Sequence, residues 1–215
     1  GRIPPLAPDA FEALLAEGVE REKSQPGRGI VIDQTEERHS GSSFGSEIES
    51  MVGLYRMGFA HCLGRLEHAD YGNQSWDATH MRQCAGAFAY AHTMGSHTNQ
   101  VHTLTLDENT IGDIGSISLG AAFTEGALPR LQILGLSKNR IGDTGVNAIA
   151  RAAATWGKFL TKLLLSSNSI GDDGMAALAK AFEGGAFPLL ENLYLDMNRI
   201  TDKGAVALAD AVAVP

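Results

Sequence analysis

From Val101 onward the chain repeats itself, and this limits its fold more than any other feature. VHTLTLDENTIGDIG is followed by LQILGLSKNRIGDTG, then LTKLLLSSNSIGDDG, then LLENLYLDMNRITDKG. Aligned on Asn109, Asn139, Asn168 and Asn198, the copies lie 30, 29 and 30 residues apart. Three residues before each asparagine stand Leu106, Leu136, Leu165 and Leu195, and five before stand Leu104, Leu134, Leu163 and Leu193. Two after come Ile111, Ile141, Ile170 and Ile200, and six after come Gly115, Gly145, Gly174 and Gly204. A unit this short cannot bury its own apolar face, so the copies must stack.

Each position has a physical reading. The L-x-L core alternates, which predicts a short strand buried on one side. The asparagine follows in a turn, where its amide can bond backbone groups of neighbouring turns as a ladder. Asp113, Asp143, Asp172 and Asp202 are expected as N-caps of the helices that follow. Those helices show apolar spacing at Ile117 and Ala121, at Val146, Ile149 and Ala153, at Met175, Leu178 and Phe182, and at Ala205, Leu208 and Val212. Alanine is frequent there because helices lying side by side in a solenoid must sit close.

The pattern L-x-x-L-x-L-x-x-N-x-I-G-D-x-G with a helix behind it resembles the leucine-rich repeats of the ribonuclease-inhibitor type. The same class occurs in NOD-like receptors and Ran GTPase-activating proteins. The resemblance covers 101–215, a little over half the chain. It implies an α/β right-handed solenoid, with a curved parallel sheet inside and helices outside. It also implies that partners dock on the concave sheet face or the ascending loops. The fourth copy departs by carrying Thr201 where the others have glycine.

Side chains alternate across a sheet, so the residues between the strand leucines are free to bind. They form columns: Thr103, Ile133, Lys162, Asn192; Thr105, Gly135, Leu164, Tyr194; Asp107, Ser137, Ser166, Asp196; Glu108, Lys138, Ser167, Met197. Apolar Ile133, Leu164, Tyr194 and Met197 beside Lys162 and Asp196 have the character of a partner-binding surface. Four repeats make a shallow arc, which disfavours a small-molecule pocket.

The repetition assigns the aspartates and asparagines to caps and ladder rather than to catalysis. The glycine turns lack the G-x-x-x-x-G-K-[ST] of a phosphate loop. The chain has 17 Lys+Arg against 25 Asp+Glu, a formal charge of −8, which disfavours nucleic acid as a partner. No apolar run reaches the ~20 residues of a membrane span, although docking to a membrane-associated complex stays open. Two cysteines exclude a disulfide-rich module, and whether Cys62 and Cys84 pair is left open. All seven histidines lie between His39 and His102. His80 and Cys84 are four apart on an expected helix, with Cys62 and His68 upstream, yet no C-x-x-C exists. Neither a zinc site nor a Cys–His nucleophile is expected. Asn73-Gln74-Ser75 is the lone glycosylation-type triplet.

The first hundred residues divide into an extended arm with one short helix, 1–46, and a helical cap region, 47–100. Arg2 to Pro8 cannot be helix. A helix is expected over Ala10–Lys23, then loop over Ser24–Ser46 with a strand-like Gly29–Asp33. A helical stripe runs through Glu47–His68, at Ile48, Met51, Val52, Tyr55, Phe59, Cys62 and Leu66. A last helix, Asp77–Thr93, turns Met81, Ala85 and Phe88 inward as a degenerate zeroth repeat. The far end around Leu193–Leu195 is expected to be covered, by a C-terminal segment or by a partner.

The functional expectation is a non-catalytic protein-interaction or scaffolding module, with no cofactor and no metal. It would be a subunit of a larger assembly, bound to other protein chains through the arm and the repeat surface. The alternative is a regulatory protein of the GTPase-activating or sensing type. The expected compartment is intracellular, with an organelle reached by transit-peptide removal as a variant.

Overall fold

The computed structural model describes residues 66–93 and 100–213. Strands and helices alternate: β1 (His68–Asp70), α1 (Ala78–Thr93), β2 (Thr103–Thr105), α2 (Gly112–Thr124), β3 (Ile133–Gly135), α3 (Asp143–Trp156), β4 (Lys162–Leu164), α4 (Asp172–Glu183), β5 (Asn192–Tyr194) and α5 (Asp202–Val212). The strands form one sheet in chain order, and every pairing is parallel. A parallel neighbour requires a crossover, and the helix of each repeat supplies it.

The register follows the leucines. Ala69, Leu104, Leu134, Leu163 and Leu193 are paired in sequence across the sheet. Leu104, Leu134 and Leu163 are fully buried, as are Leu106, Leu136, Ile141 and Ile170. Each helix packs against the helices before and after it. Near the C-terminal ends of α2 and α3 Phe123 stacks on Trp156 with ring centroids 4.6 Å apart, and Phe187, in the loop after α4, meets Trp156 edge-on at 5.8 Å. This aromatic column ties three repeats together, and aromatic contacts of this kind add to simple burial.

Three expectations need correction. The helical stripe through Glu47–His68 does not reach its end, because His68 belongs to β1. Ala69 is buried in the sheet and Tyr71 packs against the core, a period-two alternation hidden by two weak strand signals. In α2 the inward residues are Ser116, Leu119, Ala122 and Phe123, while Ile117 and Ala121 are exposed. Ser116 reaches the core because its hydroxyl donates to the Gly112 carbonyl at 2.9 Å, which satisfies it without water. The aspartates do not cap their own helices, as described below. Helix α1 spans Ala78–Thr93 and buries Met81, Ala85 and Phe88, as the spacing predicts.

Within α5 the expected apolar face is present but open. Leu208 is half-buried and Val212 exposed, with Leu195, Ile200, Ala205 and Ala209 alongside. In earlier repeats the equivalent residues lie under the next strand and helix. The arm (Arg2–Pro8, Ala10–Lys23, Gly29–Asp33), the stripe over 47–65 and Cys62 lie outside the described residues.

Candidate functional site

Two sets of polar side chains hold the repeats in register, and they point in opposite directions. Each asparagine bonds back to the preceding repeat. Asn139 Nδ2 donates to the Leu106 carbonyl at 2.8 Å, Asn168 Nδ2 to Leu136 at 2.9 Å, and Asn198 Nδ2 to Leu165 at 2.9 Å. Asn168 Oδ1 accepts from the backbone N–H groups of Asn139 and Ile141, both at 3.0 Å. Asn109 does the same for the zeroth repeat, accepting from Trp76 N at 2.8 Å and donating to Tyr71 O. Asn109, Asn139 and Asn168 are buried, so these bonds spare backbone groups a large desolvation cost.

The aspartates bond forward. Asp113 Oδ1 accepts from Gly142 N at 2.7 Å and Gly145 N at 2.9 Å. Asp143 Oδ1 accepts from Gly171 N at 2.6 Å and Gly174 N at 2.9 Å. Asp172 Oδ1 accepts from Thr201 N at 2.9 Å and Gly204 N at 3.1 Å. Asp143, Asp172 and Asp202 are the first residues of their helices, with Gly142, Gly171 and Thr201 at the cap. Each carboxylate from Asp113 to Asp172 therefore caps the next repeat's helix, where its charge also meets the positive end of the helix dipole. Asp202 is exposed at the end of the series.

The departure at Thr201 now has a reason. Its backbone is extended, as at Gly142 and Gly171, so no left-handed geometry demands glycine there. Its hydroxyl donates to Asp172 Oδ2 at 2.7 Å and accepts from Lys203 N. The bond from its hydroxyl, with that from Thr201 N, holds the Asp172 carboxyl below its ordinary range.

This scaffold presents the face of the sheet that turns away from the helices. Ile133 and Leu164 are half-buried on it, while Lys162, Tyr194, Asp196 and Met197 are exposed. Tyr194 is 46% and Met197 79% exposed, while Ile114, Ile117 and Val206 on the helices are open to a similar degree. Of the six residues expected to bind a partner, Ile133, Lys162, Leu164 and Tyr194 lie on strands β3 to β5, and Asp196 and Met197 in the turn that follows β5. Leu164 and Tyr194 are direct cross-strand neighbours, as are Ile133 and Lys162.

Asp107 and Gly135, outside that expected set, meet on the same side of the sheet. Asp107 Oδ1 accepts from Ser137 N at 2.6 Å, and burial pushes its carboxyl above the ordinary range, against the pull of Ser137. Asp196 accepts from the Ser166 hydroxyl. Gly135 lies beneath Asp107, and a Cβ there would collide with the carboxylate. The signal for both was their shared column with Asp196 and Tyr194. On the helical side, Ile117, Gly120, Ala121, Asn147 and Arg151 line a shallow groove between α2 and α3.

Cys84 is a free thiol, fully buried in α1, and burial pushes its pKa far up. His80 is bonded to Asp77 at 2.7 Å rather than to a cysteine. Among the described residues no cluster of three or more His, Cys, Asp or Glu is placed to hold a metal ion. Among them, too, no helix is long and apolar enough to cross a membrane.

Comparison with known families meets this architecture at the repeats. Residues 128–150, 158–179 and 188–209 match the Leucine Rich repeat family model. Those three segments are leucine-rich repeats. A search of curated proteins finds no match. Among solved structures the chain resembles an internalin from Listeria monocytogenes, at 20% identity and a TM-score of 0.37. The likeness covers 68% of this chain and 33% of that one, so the chain spans about a third of that structure's length. The leucine-rich repeats matched by the family model are the units built on β3, β4 and β5. Those on β1 and β2 continue the same sheet.

Proposed function

We propose that the chain is a non-catalytic protein-interaction module that docks a partner on the open sheet face. The observation that carries this reading is the set of large apolar side chains, Leu164, Tyr194 and Met197, beside Lys162 and Asp196 on β4, β5 and the turn after β5. An apolar centre with a charged rim is the anatomy of a protein interface. Repeats of 29–30 residues, each with a full helix, support the ribonuclease-inhibitor type. The stitched solenoid supports a scaffolding role as one subunit of a larger assembly, with the 1–46 arm as a second contact.

The test compares two triple variants of matched chemistry. Leu164→Ser/Tyr194→Ser/Met197→Ser alters the open face, and Ile114→Ser/Ile117→Ser/Val206→Ser alters the helical side. The first should abolish co-purification of the native partner while the second preserves it. Equal retention in both would refute the reading.

A further inference from the structure

Two residues beyond the Leu164–Tyr194 pairing, the strands lead into a polar row: Asp107, Ser137, Ser166 and Asp196. Its two carboxylates lean inward. Asp107 reaches over Gly135 to bond Ser137 N, and Asp196 takes the Ser166 hydroxyl. A cation resting on the two serines would have a carboxylate on either flank.

Charge and burial say what kind of group fits there. Asp107 is half-buried, and its like-charged neighbours Asp70 and Glu108 destabilise it further. The nearby cation, Lys138, is bonded to Glu108 at 2.6 Å and interacts with Asp107 only through its charge. Lys162 stands at the other end of its strand, in the row of Ile133 and Asn192. An incoming positive charge would relieve Asp107, and a negative one would meet two carboxylates. Asp107 and Asp196 sit on turns after strands three places apart, about 14 Å at the usual strand spacing. The row brings no set of three or more metal-ligating side chains together among the described residues. It suits the long, flexible side chain of a basic residue. The adjoining Leu164, Tyr194 and Met197 would remain wet unless an apolar residue sat beside that cation.

We infer that the open face takes a basic-apolar segment of the partner protein, with a lysine or arginine laid over Ser137 and Ser166 between Asp107 and Asp196, and an apolar neighbour on Leu164, Tyr194 and Met197. The inference rests on the reading of this face as a docking surface and names the chemistry of its partner.

Fluorescence anisotropy on the full chain tests it with three labelled probes: an alternating lysine–leucine hexapeptide, its glutamate–leucine counterpart and its lysine–serine counterpart. The lysine–leucine probe should bind tightest of the three. Asp107→Asn/Asp196→Asn should weaken that binding about tenfold or more. Asp173→Asn/Glu183→Gln removes the same charge from the helical side and should change it little. Tyr194→Ser should also weaken it. Equal loss in the two charge variants, or no binding by the lysine–leucine probe, overturns the inference. Tighter binding of the glutamate–leucine probe that Tyr194→Ser abolishes also overturns it, while leaving the docking reading intact. Leucine-probe binding indifferent to Tyr194→Ser counts against both.

Discussion

The Asp143 carboxylate accepts the backbone N–H of Gly174, 2.9 Å away and one repeat further along the chain. It is a helix cap supplied by the preceding unit, so it links two repeats as well as ending a helix. Asp143→Ala should cost about 1–2 kcal/mol, the usual loss for a capping side chain. Asp202→Ala, at the exposed end of the series, should cost less than about 0.5 kcal/mol. Urea unfolding of both variants checks this, and equal losses would mean that the forward bonds add nothing.

The carboxylates also predict a pH dependence of opposite sign at two sites. Asp172 is held low by the Thr201 hydroxyl and backbone bonds. A lowered carboxyl contributes stability that is present above its unfolded pKa and lost as pH falls through the folded value. Asp172→Asn should therefore lie below wild type in Tm at neutral pH and converge with it in acid. Asp107 is raised by burial. Its favourable contribution is present below the unfolded pKa and lost as pH rises through the folded one. Asp107→Asn should gain on wild type as pH rises through the carboxylate range. Melting curves from acid to neutral pH distinguish the two.

The glycines divide by what surrounds them. A Cβ at Gly145 would lie 2.7 Å from Asp113 Oδ1 and 2.8 Å from Ile141 Cγ2. Gly145→Ala should destabilise by about 1–3 kcal/mol through overpacking and loss of the forward bond. A Cβ at Gly86, inside α1, would meet nothing within 4 Å. Gly86→Ala should stabilise by about 0.5–1 kcal/mol. Thermal denaturation should give shifts of opposite sign.

The strand register makes a prediction of its own. Leu134 and Leu163 are fully buried, and truncating either to alanine should cost about 2–5 kcal/mol. Thr105→Ala and Ser137→Ala, on the open face, should each cost under about 1 kcal/mol. Equal costs at both kinds of position would place the register one residue off.

The sequence carried the repeat, the strand leucines and the columns of the open face, because period-two alternation and a 29–30 residue step are local signals. It could not show the direction of the aspartates. A residue at a helix start looks the same whether it caps its own helix or the next, and only the stacking distance decides. Asp107 was legible as a member of a column, but not as a carboxylate drawn over Gly135, since that contact spans two repeats. The outward face of α2 was misread for a related reason. Ile117 and Ala121 fit a helical stripe, yet Ser116 takes the inner position because its hydroxyl is satisfied by its own helix.

The most direct test of the docking surface is site-specific photo-crosslinking. A photoreactive amino acid replaces Tyr194 in one sample and Asn147, exposed on the helical side, in another. After irradiation in extract of the native cell, adducts are identified by mass spectrometry. The account predicts a discrete protein adduct at position 194 that is lost with Leu164→Ser/Met197→Ser, and none at position 147. An adduct at 147 alone, or equal adducts at both, would contradict it.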